Sequence, residues 1–134
     1  MYLLDTNIIS ETRKPRPHAG VLAWLREVPS EQLYLSAVTL GELQSGVELT
    51  REQDASKADE IERWIDSVPS VAQVLAMDTD VFRTWARLMH RRPNQLAMDA
   101  MIAATAVVHG LTVATRNVRD FEVFGVSLVN PFEP

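Results

Sequence analysis

Four acidic side chains carry most of the chemical interest in this sequence: Asp5, Glu42, Asp99 and Asp120. They lie far apart along the chain, and most stand close after a short apolar run. A fold that sets those runs side by side therefore gathers the acids at one edge. Carboxylates held together repel unless something cationic sits between them. Hard oxygen donors without His or Cys suit Mg²⁺ or Mn²⁺. The chain contains no cysteine, which excludes thiol catalysis and cysteine-ligated metals. His18, His90 and His109 stand in unrelated contexts and read as surface or helix-end residues, His109 as the partner of a helix C-terminus.

Each acid also has a plainer reading. Asp99 can complement a helix dipole, Asp120 can be a turn residue, and Asp78 reads as the N-cap of the amphipathic segment that begins directly after it. Asp5 ends an apolar strand, where no capping duty is visible and unpartnered burial is costly, so it reads as functional. Glu42 lies off the Leu40, Leu43, Val47 stripe, which leaves a solvated position open. Gly41, Ser45 and Gly46 around it are poor helix-interior residues and point to close approach by another group.

The elements that must position these residues follow from pattern. With 134 residues, 46% apolar and a formal net charge of −5, the chain reads as one domain able to bury a core without disulfide or metal. Apolar runs at Tyr2 to Leu4, Leu33 to Leu35, Val74 to Met77, Leu111 to Ala114 and Val126 to Val129 predict buried strands. Helical periodicity lies between them: Val21, Trp24 and Leu25; Leu40, Leu43 and Val47; Ala58, Ile61, Trp64, Ile65 and Val68; Val81, Trp85, Leu88 and Met89. An Ala-rich helix over about Met98 to His109 ends at Gly110, a natural C′ residue. This alternation predicts an α/β fold, a three-layer α/β/α sandwich with a mostly parallel sheet of about five strands. Asp5 then follows the first strand, Ser36 ends the second with Glu42 two turns on, Thr115 ends the fourth, and Asn117 and Asp120 lie in the loop after it. Asp99 reaches that edge by a less direct inference, from the first turn of the Ala-rich helix. The acidic N-terminal Met1-Tyr2-Leu3-Leu4-Asp5 does not suit a signal peptide, and no apolar run is long enough for a bilayer, so a cytoplasmic protein away from membranes is expected.

The sequence resembles the PIN-domain ribonucleases of the VapC type, the toxin halves of VapBC toxin–antitoxin pairs. The resemblance spans essentially the whole chain, as a single PIN domain over 1–134. It runs through Leu3-Leu4-Asp5-Thr6-Asn7, Ser36-Ala37-Val38-Thr39-Leu40-Gly41-Glu42-Leu43, Asp99-Ala100-Met101-Ile102-Ala103-Ala104 and Thr115-Arg116-Asn117-Val118-Arg119-Asp120-Phe121. The ending Val129-Asn130-Pro131-Phe132 is similar to the FitB-like branch. The resemblance implies an acidic cluster of Asp5, Glu42 and Asp99, with Asp5 and Asp99 as direct Mg²⁺ or Mn²⁺ ligands and Thr6 and Thr115 orienting acids or water. Many relatives carry an acid where this chain has Asn117, so either Asn117 acts through its carbonyl or a water, or Asp120 supplies the fourth charge. The activity implied is endoribonuclease cleavage, by in-line attack of water on an RNA phosphodiester.

Grip on RNA must come from local positive charge. Arg13 and Arg116, near the acidic edge, are the phosphate candidates, whereas Arg83 and Arg87 read as a solvated helix face. Trp24, Trp64 and Trp85 lie on apolar stripes and read as core or dimer contacts. Val38 and Leu49 give the helix of Glu42 a second apolar face. The resemblance further implies a homodimer, a VapB-like antitoxin and a hetero-oligomer of the two on DNA. Rival readings are a PIN-fold module that binds RNA or a partner without cutting, a receiver-type signalling domain with Asp78 and Thr115 in its phosphoacceptor and switch places, and a haloacid-dehalogenase-like phosphatase. Asn7 stands where the last needs a second Asp, and Asn130 where a receiver wants Lys.

Overall fold

The computed structural model describes residues 1–133. Five parallel strands, β1 (Tyr2–Leu4), β2 (Leu33–Ser36), β3 (Gln73–Leu75), β4 (Thr112–Ala114) and β5 (Leu128–Val129), form one sheet in the order β3-β2-β1-β4-β5. The helices are α1 (Thr6–Glu11), α2 (Ala19–Glu27), α3 (Ala37–Arg51), α4 (Ala55–Ser67), α5 (Thr79–Met89), α6 (Ala97–His109) and α7 (Val118–Glu122). Parallel strands need helical crossovers, and those crossovers cover both faces of the sheet. Successive strand residues therefore serve opposite layers. Leu3 and Val113 pack with Ala100, Ile102, Ala103 and Phe121 on one face, and Leu4, Leu35 and Ala114 pack with Ile8, Ile9, Val21 and Val68 on the other. The three-layer sandwich is the one its pattern predicts.

Two helices frame the edge that matters. In α6 the small side chains of Ala100, Ala103, Ala104 and Ala106 are buried, and Gly110 closes the helix in the left-handed region at φ 66°. Helix α3 starts on Ser36, whose Oγ accepts from the Val38 N–H at 3.1 Å, and pairs with α4 through Val47, Ala58 and Ile65. The three tryptophans are half-buried against these clusters, and Trp85 Nε1 donates to the Ala97 carbonyl at 3.0 Å.

Two expectations are corrected, and one rival reading is excluded. The third apolar run is not a buried strand: β3 begins earlier, at Gln73, and lies at the sheet edge with β2 as its neighbour, so Val74 stays exposed. The segment after β4 is helical, which puts Asp120 on α7 rather than in a loop. The receiver reading fails on topology, since a flavodoxin-like sheet runs 2-1-3-4-5 and here β3 lies outside β2. Asp78 instead caps α5, accepting from the Val81 N–H at 3.0 Å, as its sequence context predicts.

Gly41 and Gly46 lie in the interior of α3, exposed, and a Cβ at either would meet nothing within 4 Å. Packing within this chain gives no reason for glycine at either place. Gly46→Ala is therefore expected to raise stability by up to about 1 kcal/mol, read as a higher urea midpoint with an unchanged slope.

Candidate active site

The strand order reverses between β1 and β4, and in open parallel sheets that switch point opens a crevice at the carboxyl ends of the strands. Asp5 stands there, only 5% exposed, its backbone N–H donating to the Ala114 carbonyl at 2.9 Å. One carboxylate oxygen, Oδ1, accepts from the Thr6 N–H at 2.8 Å. The other, Oδ2, accepts from Thr115 Oγ1 at 2.7 Å and Asn7 Nδ2 at 3.2 Å. Asp5 thus does carry a capping role, which the sequence concealed because α1 begins directly at the strand end. Burial pushes its pKa up, the bonds from Thr115, Thr6 and Asn7 pull it down, and the charge of Asp120 pushes it up again.

The neighbouring acids are mounted from three other elements. Glu42, half-buried on α3, accepts from Thr6 Oγ1 at 3.2 Å; the buried Thr39 hydroxyl lies 3.5 Å from that same oxygen. Burial raises the Glu42 pKa, the Thr6 bond lowers it and the Asp5 charge raises it. The solvated alternative for Glu42 is thereby set aside. Asp99, in the first turn of α6, is pushed up to about 6 by burial first and then by the charges of Asp5, Asp120 and Glu42. All four acids thus share one field. Asp120 itself is exposed, and its charge reaches both Asp5 and Asp99. Asn117 has an exposed side chain, and its backbone N–H donates to Thr115 Oγ1 at 2.9 Å.

Among the described residues, none of the four acids is ion-paired; the salt bridges are Lys14 with Glu11, Arg51 with Glu48, Asp59 and Glu62, and Lys57 with Glu60. Hard, mutually repelling oxygens without a counter-charge are a donor set that suits Mg²⁺ or Mn²⁺. As they stand, no three acidic or imidazole side chains among the described residues draw together around one point.

The two phosphate candidates flank this cluster. Arg13 is exposed, its guanidinium 5.8 Å from the centre of the Trp64 ring, and lines a groove that Glu42 also lines. Arg116 lies 4.7 Å over the Phe132 ring and shares a hollow with Arg119 and Asp120. Arg83 and Arg87 are exposed on α5, away from both hollows, in keeping with a solvated face. His18 is a helix-end residue as expected: its Nδ1 accepts from the Gly20 N–H at 3.0 Å and caps α2. Sequence reasoning missed two supports. Asn7 bridges the strand ends, its Oδ1 accepting from the Arg116 N–H at 3.2 Å. Glu11, buried, accepts from Lys14 Nζ at 2.9 Å and the His18 N–H at 3.0 Å, and the Lys14 bond holds its carboxyl below the ordinary range. The Asp-Thr-Asn spacing and the i, i+3 Glu–Lys pair were the available signals.

A parallel sheet of this order, with four acids near its switch point that no cation neutralises, defines a class of α/β protein with an acidic crevice. The PIN domain family model matches residues 2–125, and the chain belongs to the PIN-domain family, in its VapC branch. It is 39% identical to the VapC ribonuclease Y4jK of Sinorhizobium fredii, over all of this chain and 99% of the relative. The fold superposes on FitAcB from Neisseria gonorrhoeae with a TM-score of 0.87 at 35% identity, covering 100% of both chains. The structure of FitAB bound to an IR36 DNA fragment gives 0.84 at 36%, covering 98% of this chain and 96% of that one.

The raised Asp99 pKa fixes the sign of a pH effect. Between its ordinary value of 3.8 and about 6 the folded chain binds more protons at Asp99 than the unfolded chain, so stability falls as pH rises through that window. In EDTA, Asp99→Asn is expected to stabilise the protein at neutral pH by about 1 kcal/mol after allowing for solvent screening, with the gain vanishing below about pH 4. Denaturation at the two pH values checks it.

Proposed function

We propose that this protein, as a single PIN domain over residues 1–134, is the toxin of a type II toxin–antitoxin pair and an Mg²⁺- or Mn²⁺-dependent endoribonuclease. The observation that carries the reading is the shared, uncompensated field of Asp5, Glu42, Asp99 and Asp120 at the switch point of a PIN-family chain. Asp5 and Asp99 would hold the ion, with Glu42 and Asp120 beside them adding negative charge. A bound divalent ion supplies water activation and neutralises charge on the phosphoryl oxygens. The chain's own residues do the positioning. Thr115 and Asn7 fix the Asp5 carboxylate against rotation, Thr6 holds Glu42, and the Asn117 N–H orients the Thr115 hydroxyl. We take Asp120 for the fourth acidic place, since its charge bears on Asp5 and Asp99, whereas Asn117 is neutral and would act only through its carbonyl or a water.

The same likenesses support a VapB-like antitoxin and a hetero-oligomer with it on DNA, FitAB being bound to a DNA fragment, and the family resemblance adds a homodimer. Among the described residues no helix is long and apolar enough to cross a membrane, in keeping with a cytoplasmic protein. A module that binds RNA without cutting is the competing reading, and retention of Asp5, Glu42 and Asp99 weighs against it.

Cleavage of an end-labelled panel of unstructured RNA, tRNA and rRNA hairpins by antitoxin-free protein tests the proposal. Cutting is expected with Mg²⁺ or Mn²⁺, none in EDTA, and a fall of about two orders of magnitude or more in Asp5→Asn and Asp99→Asn. Intact RNA across the panel, or cutting that survives both substitutions, contradicts it.

A further inference from the structure

The acids that would carry the chemistry repel the very polyanion they act on, so the chain must attract RNA beside them. Two charged hollows border the acidic cluster, and a third, lined by Val38, Gly41, Glu42, Ser45, Met98 and Met101, carries no cation. The one beyond β4 contains Arg116 and Arg119 but also Asp120, Glu122 and Glu133, three acids against two cations. The other, about 420 Å³, lies between the end of α1 and the α3–α4 hairpin. Arg13 and Lys14 edge it, Leu43, Gly46 and Ile61 line it, and Glu42 is its one acid. With Lys14 paired to Glu11, Arg13 and Glu42 balance there, so this hollow opposes a polyanion less than the one beyond β4, and through Glu42 it borders the cluster.

Three features suit this groove to a nucleotide rather than to bulk solvent. Its cations are pre-placed: Arg13 lies over the Trp64 ring, and Lys14 is tethered to the buried carboxylate of Glu11, which also holds the His18 N–H. A guanidinium within about 6 Å of an indole face gains a modest cation–π attraction that biases it toward the groove. Leu43 and Ile61 offer apolar surface on which a base can rest. The glycine at position 46 weakens α3, serves no packing need within the chain, and opens onto the groove.

We propose that this groove is a subsite for one nucleotide of single-stranded RNA next to the scissile phosphate. Arg13 and Lys14 take the phosphate, and the base lies along Leu43, Gly46 and Ile61. The strand must be single, because a duplex hides the base faces. The assignment deepens the nuclease reading and rests on it for the position of the scissile bond.

Fluorescence anisotropy of a labelled, mixed-sequence single-stranded RNA tests it, using the full-length protein in EDTA, where the RNA stays intact and any metal contribution is the same for every variant. Gly46→Leu fills the groove from a position where a Cβ meets nothing, so the fold is kept, and Arg13→Ala removes a cation. Each is expected to weaken binding by at least about fivefold, the loss of one stacking or phosphate contact, while Arg83→Ala on α5 changes nothing. Unchanged affinity in both groove variants overturns the proposal and leaves the groove to another occupant, a protein segment included. Absence of RNA binding before any groove substitution overturns it as well. Cutting is read separately on the unsubstituted protein, so a failed nuclease reading and a failed subsite give different results.

Discussion

Keeping a carboxylate buried at the end of β1 is the constraint on which the rest of this edge depends. An ionised carboxylate in a protein interior costs several kcal/mol unless its oxygens are satisfied, and Asp5 is satisfied by Thr6, Thr115 and Asn7. Those bonds do not cancel the burial, since the Asp5 pKa remains raised. The unpaid remainder is a standing preference for positive charge at this point. Because Thr115 directly follows the neighbouring strand and Asn7 reaches the Arg116 N–H, the constraint also ties the ends of β1 and β4 together at the switch point.

The other acids extend that preference without relieving it. Thr6 serves two of them at once, its N–H on Asp5 and its hydroxyl on Glu42, so the first residue of α1 sets the spacing between two elements. Asp99 comes from a helix whose small side chains let it lie close to the sheet. Arginine and lysine are spent elsewhere: Arg51 ties α3 to α4 through Asp59 and Glu62, and Lys14 answers Glu11. The net charge of −5 is thus unevenly spread, with the acids free at the crevice and the nearest cations held back at the groove rims.

Much of this was legible from residues alone, and the limits have physical causes. Buried parallel strands read as short apolar runs, and the alternation with helices fixed the layers. The edge position of β3 was invisible, because strand order is a tertiary property and Val74 and Leu75 are as apolar as core residues. The short helices α1 and α7 carry too few turns for periodicity to show, and this hid both the capping role of Asp5 and the helical setting of Asp120. Glu42 could not be settled by helical angle, since its partner Thr6 is 36 residues away. Asp5, Asp99 and Thr115 were readable because each stands at the end of an apolar strand or the start of a helix.

The central claim is that these acids are held apart from cations so that a divalent ion can take their place. Titration of Mn²⁺ into the purified protein, followed by the paramagnetic resonance of the free ion, tests it most directly. The account predicts uptake near neutral pH that weakens as pH falls through about 6, where Asp99 gains its proton, and that is lost in Asp5→Asn. Affinity that is flat across that range, or unchanged without the Asp5 carboxylate, would contradict it.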